Sequence, residues 1–278
     1  MFRPLILGAA VLANLAGLSM AHHVLRVVDA PTAILGMAVV LLATSMGHLF
    51  DEYSDVDTDS LVQRTPFSGG SGVLPSGAVP RSWALVAAAA CGLASLATGV
   101  GGLFMDILNQ DYVVMLVTAM ALGYSYSMPP LRLERRGWGE IDNALLGTLM
   151  FLSGYLPQVG TLSVEAVIWS VPVFLAVMVN LIGVHWADRE ADAMVGRRTL
   201  VIRLGGRSVD LFLVLLATLF VYLSIMHESF PAAVLTAYAL TLPVGLWTYW
   251  SFRRGGGPLP GSAFMTTVLV GNMVGWLL

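Results

Sequence analysis

The residues best suited to chemistry lie in two acidic sequences, each at the end of a long apolar stretch, and both read H-x-x-D-x-x-x-D. At about 100° per residue, positions i, i+3 and i+7 fall within roughly 60° of one another on a helix face. Asp51 and Asp55 therefore project together from the first motif. Asp188 and Asp192 do the same from the second motif.

Carboxylates grouped in this way predict a divalent cation site. Four carboxylates at one place repel one another unless a cation neutralises them, and Mg²⁺ takes oxygen ligands while leaving positions open for substrate phosphates. A single D-x-x-x-D is more often a solvated acidic loop or a helix end. The second copy, followed closely by arginines, favours a metal site. We therefore predict that Asp51, Asp55, Asp188 and Asp192 are Mg²⁺ ligands and catalytic residues.

Segments near the acidic motifs contain groups that suit an anionic substrate. Arg64 precedes a glycine-rich turn at 68–72, whose backbone N–H groups can face phosphate oxygens. A proline-stiffened segment, 126–136, contributes Ser127 and Arg132, and Arg198 follows the second motif. The alternative for these arginines is a purely topological role in the membrane. We predict that Arg64, Ser127, Arg132 and Arg198 bind substrate.

A histidine stands three residues before the first aspartate of each motif. We predict that His48 and His185 each orient an adjacent carboxylate at the substrate site. The alternatives are a polar histidine at a helix end and a direct histidine–metal bond.

The overall composition indicates a membrane protein. Of 278 residues, 57% are hydrophobic and 11% are charged, and the net charge is −3 with no lysine. This excludes a disordered chain, a nucleic-acid-binding protein with a broad basic surface and an ordinary soluble enzyme. The single cysteine, Cys91, excludes an intrachain disulfide framework and a zinc site with several thiolates.

The apolar stretches are long enough to span a bilayer as helices, which need about 20 apolar residues each. We predict an all-α, polytopic membrane protein with nine transmembrane helices. They lie near 4–22, 31–49, 82–104, 111–129, 140–160, 165–187, 208–227, 231–252 and 260–277.

The arginines predict the orientation of these helices. With nine spans, 13 arginines fall on one side and only Arg26 on the other. Positive charge marks the cytoplasmic side, so we predict a cytoplasmic N-terminus, cytoplasmic active-site loops and an external C-terminus in the cell membrane. The first stretch ends in Ser19-Met20-Ala21 and has features of a cleavable signal peptide, but we expect a retained helix.

These motifs resemble those of the UbiA superfamily of intramembrane prenyltransferases, which carries N-D-x-x-D-x-x-x-D after its second helix and D-x-x-x-D after its sixth. The superfamily also has a Y-S-x-P-P-L-R-L segment, matched by 126–133, and a G-[KR]-x-T-L-x-x-x-L-G stretch, matched by 196–205. The resemblance covers almost the whole chain. It implies a single domain, 1–278, with its helices around a central cavity.

Four residues depart from the superfamily pattern. Gly47 and His48 replace the leading Asn-Asp pair, and His185 replaces the Asn before the second motif. Glu134 replaces the lysine that often follows P-P-L-R-L. These changes affect the detailed metal geometry and the choice of acceptor.

The resemblance implies Mg²⁺-dependent transfer of a polyprenyl group from its diphosphate to an acceptor. The aspartates would hold Mg²⁺ against the diphosphate, with Arg64, Arg132 and Arg198 adding positive charge, and Tyr126 would steady the allylic cation. An aromatic quinone precursor is the favoured acceptor, and a tetrapyrrole and a glycerol-lipid stay open.

Two other functions remain open from the sequence. A UbiA-type terpene cyclase would ionise the same diphosphate without an external acceptor. A transporter for a divalent cation or an organic anion would also place acidic pairs in membrane helices, although these acids lie at one face rather than at the midplane.

Overall fold

The computed structural model describes residues 4–61 and 70–278, and the regular structure in these ranges is entirely helical. It comprises twelve α-helices and two short 3₁₀ turns, Gly205–Arg207 and His227–Ser229. The α-helices are α1 (Pro4–Leu25), α2 (Ala30–Ser54), α3 (Val56–Asp59), α4 (Ser82–Phe104), α5 (Gln110–Ser127), α6 (Leu133–Arg136), α7 (Gly139–Val159), α8 (Val164–Met194), α9 (Leu200–Leu204), α10 (Ser208–Ile225), α11 (Ala232–Arg253) and α12 (Leu259–Leu277).

Nine of the helices in the described ranges have 18 residues or more, and they follow the predicted stretches in order. The prediction of an all-helical, multi-pass protein is confirmed, because six segments are long and apolar enough to cross a membrane. Three long helices, α5, α7 and α12, are not among those six. The count of nine spans therefore stays a prediction.

The acidic motifs lie on or at the ends of helices. α2 ends at Ser54, and the backbone N–H of Asp55 donates to the carbonyl of Asp51 at 2.9 Å. α8 continues to Met194, beyond the predicted apolar stretch, so Asp188 and Asp192 are both helical. This continuation keeps the second motif on one helix face.

Side-chain caps fix where two helices of the site begin. The carboxylate of Asp29 accepts a hydrogen bond from the Thr32 N–H at 2.9 Å, which caps α2. The amide oxygen of Asn109 accepts from the Tyr112 N–H at 2.8 Å and caps α5. Such caps satisfy N–H groups that have no partner within the helix.

α1 and α7 pack in close backbone contact through two glycines. A Cβ atom on Gly154 would lie 2.0 Å from the carbonyl oxygen of Asn14, and one on Gly17 would lie 1.7 Å from that of Phe151. Asn14 also donates from Nδ2 to Ser153 Oγ at 2.8 Å. Small residues permit this approach, as is common between membrane helices.

Six of the long helices, α1, α2, α5, α7, α8 and α12, line a cavity of about 950 Å³. α2 and α8 contribute residues mostly from their C-terminal halves, whereas α1, α7 and α12 contribute residues mostly from their N-terminal halves. α5 lines the cavity along its length, from Tyr112 to Tyr126, so the cavity extends from the acidic motifs into the interior of the bundle.

Candidate active site

The cavity has one charged end and a mostly apolar remainder. The wall formed by α8 shows this gradient, because Asp192, Asp188 and His185 are followed along the same face by Leu181 and Val177. These positions recur every three or four residues, which is the spacing of one helix face. The opposite wall, formed by α2, repeats the order from acidic residues to apolar ones.

One guanidinium connects the two acidic motifs. Arg197 Nη1 lies 3.1 Å from Asp192 Oδ1, and Arg197 Nη2 forms an ion pair with Asp55. Arg197 also contacts Glu134, with Nη2 2.7 Å from Oε2. The turn after α8 directs Arg197 back toward its own helix, since its backbone N–H donates to the carbonyl of Asp192 at 3.0 Å.

Three carboxylates form a compact cluster beside this arginine. One oxygen from each of Asp51, Asp55 and Glu134 lies within 4.8 Å of the others. Ser127 Oγ donates to Asp51 Oδ1 at 2.9 Å, and Ser54 Oγ donates to Glu134 Oε1 at 3.3 Å. The hydroxyls of Ser127 and Ser54 thus fix the positions of the Asp51 and Glu134 carboxylates.

Burial and mutual repulsion shift the protonation of this cluster. Burial raises the pKa of Glu134 to about 7, although Arg197 acts in the opposite direction. Burial, together with the charge of Asp51, raises the pKa of Asp55 well above its ordinary value. Burial disfavours the charged form of Arg197, but Asp55 and Glu134 outweigh this and raise its pKa.

The donor set fits a hard divalent cation. Carboxylate oxygens are the ligands that Mg²⁺ prefers, and three of them converge from Asp51, Asp55 and Glu134. The guanidinium of Arg197 already supplies positive charge to two of these groups and to Asp192. The oxygens of the cluster could therefore hold a metal ion beside Arg197.

The two histidines have glutamate neighbours. His185 Nδ1 lies 3.0 Å from Glu140 Oε1 on α7, and the same oxygen accepts from the Leu200 N–H at 2.6 Å. His48 Nε2 lies 3.9 Å from Glu52 Oε1, one turn further along α2. The predicted orientation of an adjacent aspartate by either histidine stays a prediction, since the carboxylate measured nearest to His185 comes from another helix.

Of the other predicted site residues, some lie at the cavity and others do not. Tyr126 lines the cavity, and Ser127 lies behind Asp51. Arg132 and Arg198 are exposed and do not line the cavity, so their predicted contact with substrate is not supported by their positions. Arg64 lies outside the described residues.

Three residues of the site were not among the predicted site residues. Glu134 and Arg197 were noted only as members of motifs, and Glu140 was not singled out. The signal for Glu134 was its acidic side chain at a position where the resemblance leads one to expect a lysine. For Arg197 the sequence offers two adjacent arginines, and only the turn at 195–196 decides which of them faces the carboxylates.

Comparison with known families identifies the class to which this fold and site belong. The model of the UbiA prenyltransferase family matches residues 10–270. The chain therefore belongs to the UbiA prenyltransferase family.

Curated relatives match over part of their length. The chain is 24% identical over 160 residues to a 1,4-dihydroxy-2-naphthoate octaprenyltransferase of Bacillus subtilis, covering 57% of this chain and 50% of the relative. It is 32% identical over 142 residues to protoheme IX farnesyltransferase 1 of Pyrobaculum aerophilum, covering 50% and 46%. It is 32% identical over 114 residues to a 2-carboxy-1,4-naphthoquinone phytyltransferase of Synechocystis, covering 40% and 37%. The matches thus span about half or less of each relative.

Solved structures match over nearly the whole chain. A UbiA homologue of Aeropyrum pernix superposes with a TM-score of 0.77 at 18% identity, covering 99% of this chain and 98% of the other. A UbiA homologue of Archaeoglobus fulgidus, solved bound to GPP and Mg²⁺, gives 0.74 at 16% identity, covering 98% and 97%. At these identities the likeness establishes the fold.

Proposed function

We propose that this protein transfers a polyprenyl group from its diphosphate to an acceptor within the membrane, in a Mg²⁺-dependent reaction. The observation that carries the proposal is the cavity itself, which joins a carboxylate-lined end, where Arg197 meets Asp55 and Asp192, to an apolar interior. A prenyl diphosphate has the same division into a charged head and an apolar tail. The volume of about 950 Å³ lies at the upper end of the usual range for ligand cavities.

The acidic end would hold the diphosphate. Asp51, Asp55, Asp188 and Asp192 would bind Mg²⁺, with Glu134 beside them. A metal ion held by these residues would supply positive charge to the diphosphate leaving group. Arg197 is the buried cation of this end and is placed to accept the phosphate charge that develops when the C–O bond breaks.

The deeper part of the cavity would protect the allylic cation. Its walls are mostly apolar, with Asn180 and Ser153 among the polar lining residues, and Tyr126 presents an aromatic ring close to the acidic end. A ring face attracts a cation through its quadrupole. The tail would lie among the aliphatic side chains of α5, α7 and α8.

We propose an aromatic quinone precursor as the acceptor, because two of the curated relatives carry naphthoate or naphthoquinone substrates in their names. The relative named for protoheme makes a tetrapyrrole the second acceptor to test.

We further propose that the whole chain, 1–278, forms one domain that crosses the cell membrane nine times, with the acidic motifs on the cytoplasmic side. The distribution of arginines supports this orientation. Three arginines lie at the same end of the bundle as the acidic motifs, in accord with this orientation. Arg81 contacts Asp57, Arg135 contacts Glu134, and Arg197 contacts Asp192.

The proposal is tested with purified protein, geranylgeranyl diphosphate, Mg²⁺ and either 1,4-dihydroxy-2-naphthoate or protoheme IX. We expect a prenylated product that disappears in EDTA and returns with added Mg²⁺. Asp51→Asn and Asp188→Asn should each lower the rate by about 10²–10³-fold, because each removes a fixed charge from the diphosphate site.

Asp111→Asn is the matched control, since Asp111 is exposed at the end of α5 opposite Ser127. This variant should keep the wild-type rate. Full activity in EDTA, or a wild-type rate in either site variant, would contradict the proposal. A cyclic product formed without acceptor would point to a terpene cyclase, and uptake of either ligand into liposomes without any product would point to a transporter.

A further inference from the structure

A buried carboxylate–histidine pair lies beside the diphosphate end of the cavity. Glu140 is 1% exposed, and its Oε1 lies 3.0 Å from Nδ1 of His185, itself 8% exposed. The pair joins two helices, because Glu140 stands in the first turn of α7 and His185 lies on α8. The Leu200 N–H, bound to the same Oε1 at 2.6 Å, fixes the carboxylate from a third element.

This contact determines which nitrogen of the ring can accept a proton. A carboxylate accepts hydrogen bonds, so the proton of a neutral His185 resides on Nδ1 and points to Glu140. The lone pair is then on Nε2, on the other side of the ring from Glu140. His185 lines the cavity, whereas Glu140 does not.

The position of His185 along α8 sets what it can reach. It precedes Asp188 by three residues on the cavity face, which places it about 4.5 Å deeper along the helix axis. The next cavity-lining residue on α8 is Val184, and Leu181 lies one turn deeper than His185. Asn180 also lines the cavity deeper on α8, so His185 lies where the charged end gives way to a mostly apolar interior. C1 of a bound prenyl diphosphate would meet an acceptor at this level.

We propose that His185 is the general base of the transfer reaction, with Glu140 as the residue that positions it. The inference rests on the proposed function, in which an acceptor hydrogen is replaced by a prenyl group. The C1–O bond breaks and its electron pair leaves with the diphosphate, while the acceptor supplies the pair that forms the new bond to C1. In 1,4-dihydroxy-2-naphthoate the attacked atom is C3, the carbon beside the carboxylate-bearing C2, and C3 bears a hydrogen. The proton displaced from C3 passes to Nε2 of His185, and Glu140 stabilises the resulting imidazolium.

The corresponding histidine of the first motif has a different setting. His48 Nε2 is 3.9 Å from Glu52 Oε1, which is beyond hydrogen-bond distance. Glu52 in turn accepts from the backbone N–H and the hydroxyl of Ser71 at 2.8 and 2.5 Å. The assignment of the base rests on the contact between His185 and Glu140, which fixes the tautomer of His185.

The proposal is tested by measuring three quantities on purified variants. They are diphosphate release from geranylgeranyl diphosphate, prenylation of 1,4-dihydroxy-2-naphthoate, and Mn²⁺ binding followed by electron paramagnetic resonance. His185→Ala and His185→Gln should lower prenylation by about 10²–10⁴-fold. Mn²⁺ affinity should stay within twofold of the wild type, and diphosphate should still be released without matching product.

Two further measurements separate a base from a packing residue. Added imidazole should raise prenylation by His185→Ala at least tenfold, because it can occupy the space left by the ring, and it should not affect His185→Gln. Glu140→Gln, which keeps an oxygen for Leu200 but loses the charge, should lower kcat with little change in KM. The control His227→Ala changes an exposed histidine whose Nδ1 lies 3.0 Å from the carbonyl oxygen of Ser224, and it should behave like the wild type.

The outcomes distinguish this proposal from the proposed function. Absence of prenylated product from the wild type contradicts the proposed function itself. Three outcomes would overturn the role of His185 as base while leaving the proposed transferase function intact. They are a wild-type rate of prenylation by His185→Gln, a tenfold loss of Mn²⁺ affinity in either His185 variant, and failure of imidazole to restore prenylation by a stably folded His185→Ala.

Discussion

At the scale of single residues, Arg197 balances much of the charge of the site. Its side chain is 11% exposed and contacts Asp55, Glu134 and Asp192, which come from three different parts of the chain. Removing one partner from a buried ionic group costs about 3–5 kcal/mol, because the remaining charges are left in a poorly solvated place. Arg197 is thus expected to matter for both folding and catalysis.

We predict that Arg197→Gln lowers the melting temperature of the metal-free protein and lowers prenyl transfer by at least 10²-fold. Addition of 10 mM Mg²⁺, on the order of the concentration that such a site requires, should restore more stability to this variant than to the wild type, because the cation replaces the lost positive charge. Thermal unfolding in detergent, with and without Mg²⁺, measures the difference.

Arg207→Gln provides the comparison, since Arg207 is exposed in the 3₁₀ turn before α10. Its melting temperature should be unchanged. Equal melting temperatures for Arg197→Gln and Arg207→Gln would show that the three-carboxylate contact contributes nothing to the fold.

At the scale of helices, the site depends on contacts that keep α1 and α7 at a fixed distance. α1 lines the cavity with its N-terminal half, and α7 carries Glu140 at the acidic end. The two helices approach so closely at Gly17 and Gly154 that a methyl group on either would collide with backbone atoms of the other helix. Backbone atoms cannot move aside as a flexible side chain can, so the helices must separate to admit the methyl group.

We predict that Gly154→Ala destabilises the protein by about 1–3 kcal/mol, the usual cost of overpacking a well-packed contact. The melting temperature in detergent should fall accordingly. Gly101→Ala is the matched control, because Gly101 is also helical and a Cβ atom there meets nothing within 4 Å. Alanine favours a helix over glycine, so Gly101→Ala should be neutral or slightly stabilising. Equal melting temperatures for the two variants would disprove the close-packing argument.

At the scale of the whole molecule, the two acidic motifs and the polar part of the cavity share one end of the bundle. The predicted orientation places this end at the cytoplasmic face, where a water-soluble head group can enter while the tail stays in an apolar environment. This predicted orientation rests on the arginines in loops, since positively charged loops are generally retained in the cytoplasm.

We predict that an alkaline phosphatase fused after Leu278 is active and that a fluorescent protein fused at the same point is dark in a bacterial host, because an odd number of spans places the C-terminus outside. The same two reporters fused after Arg254, between α11 and α12, should give the opposite result. The reverse pattern at either point would contradict nine spans with a cytoplasmic N-terminus.

The sequence by itself was sufficient for the membrane class, the helical fold and the family resemblance. Apolar stretches of about 20 residues can be satisfied in lipid only as helices, so composition and length predict them directly. The D-x-x-x-D spacing likewise predicts which carboxylates share a face, because it depends only on the geometry of one helix. These features are local, and local features can be read along the chain.

The tertiary structure decided which residues meet between helices. The contacts of Arg197 with Asp55, of Glu134 with Asp51, and of Glu140 with His185 join residues 45 to 142 positions apart. Arg197 and Arg198 are adjacent and have the same side chain, so the sequence does not distinguish them. The turn after α8 directs Arg197 toward the carboxylates and leaves Arg198 exposed to solvent. Contacts of this kind depend on how the helices pack against each other, which the periodicity of a single helix does not contain.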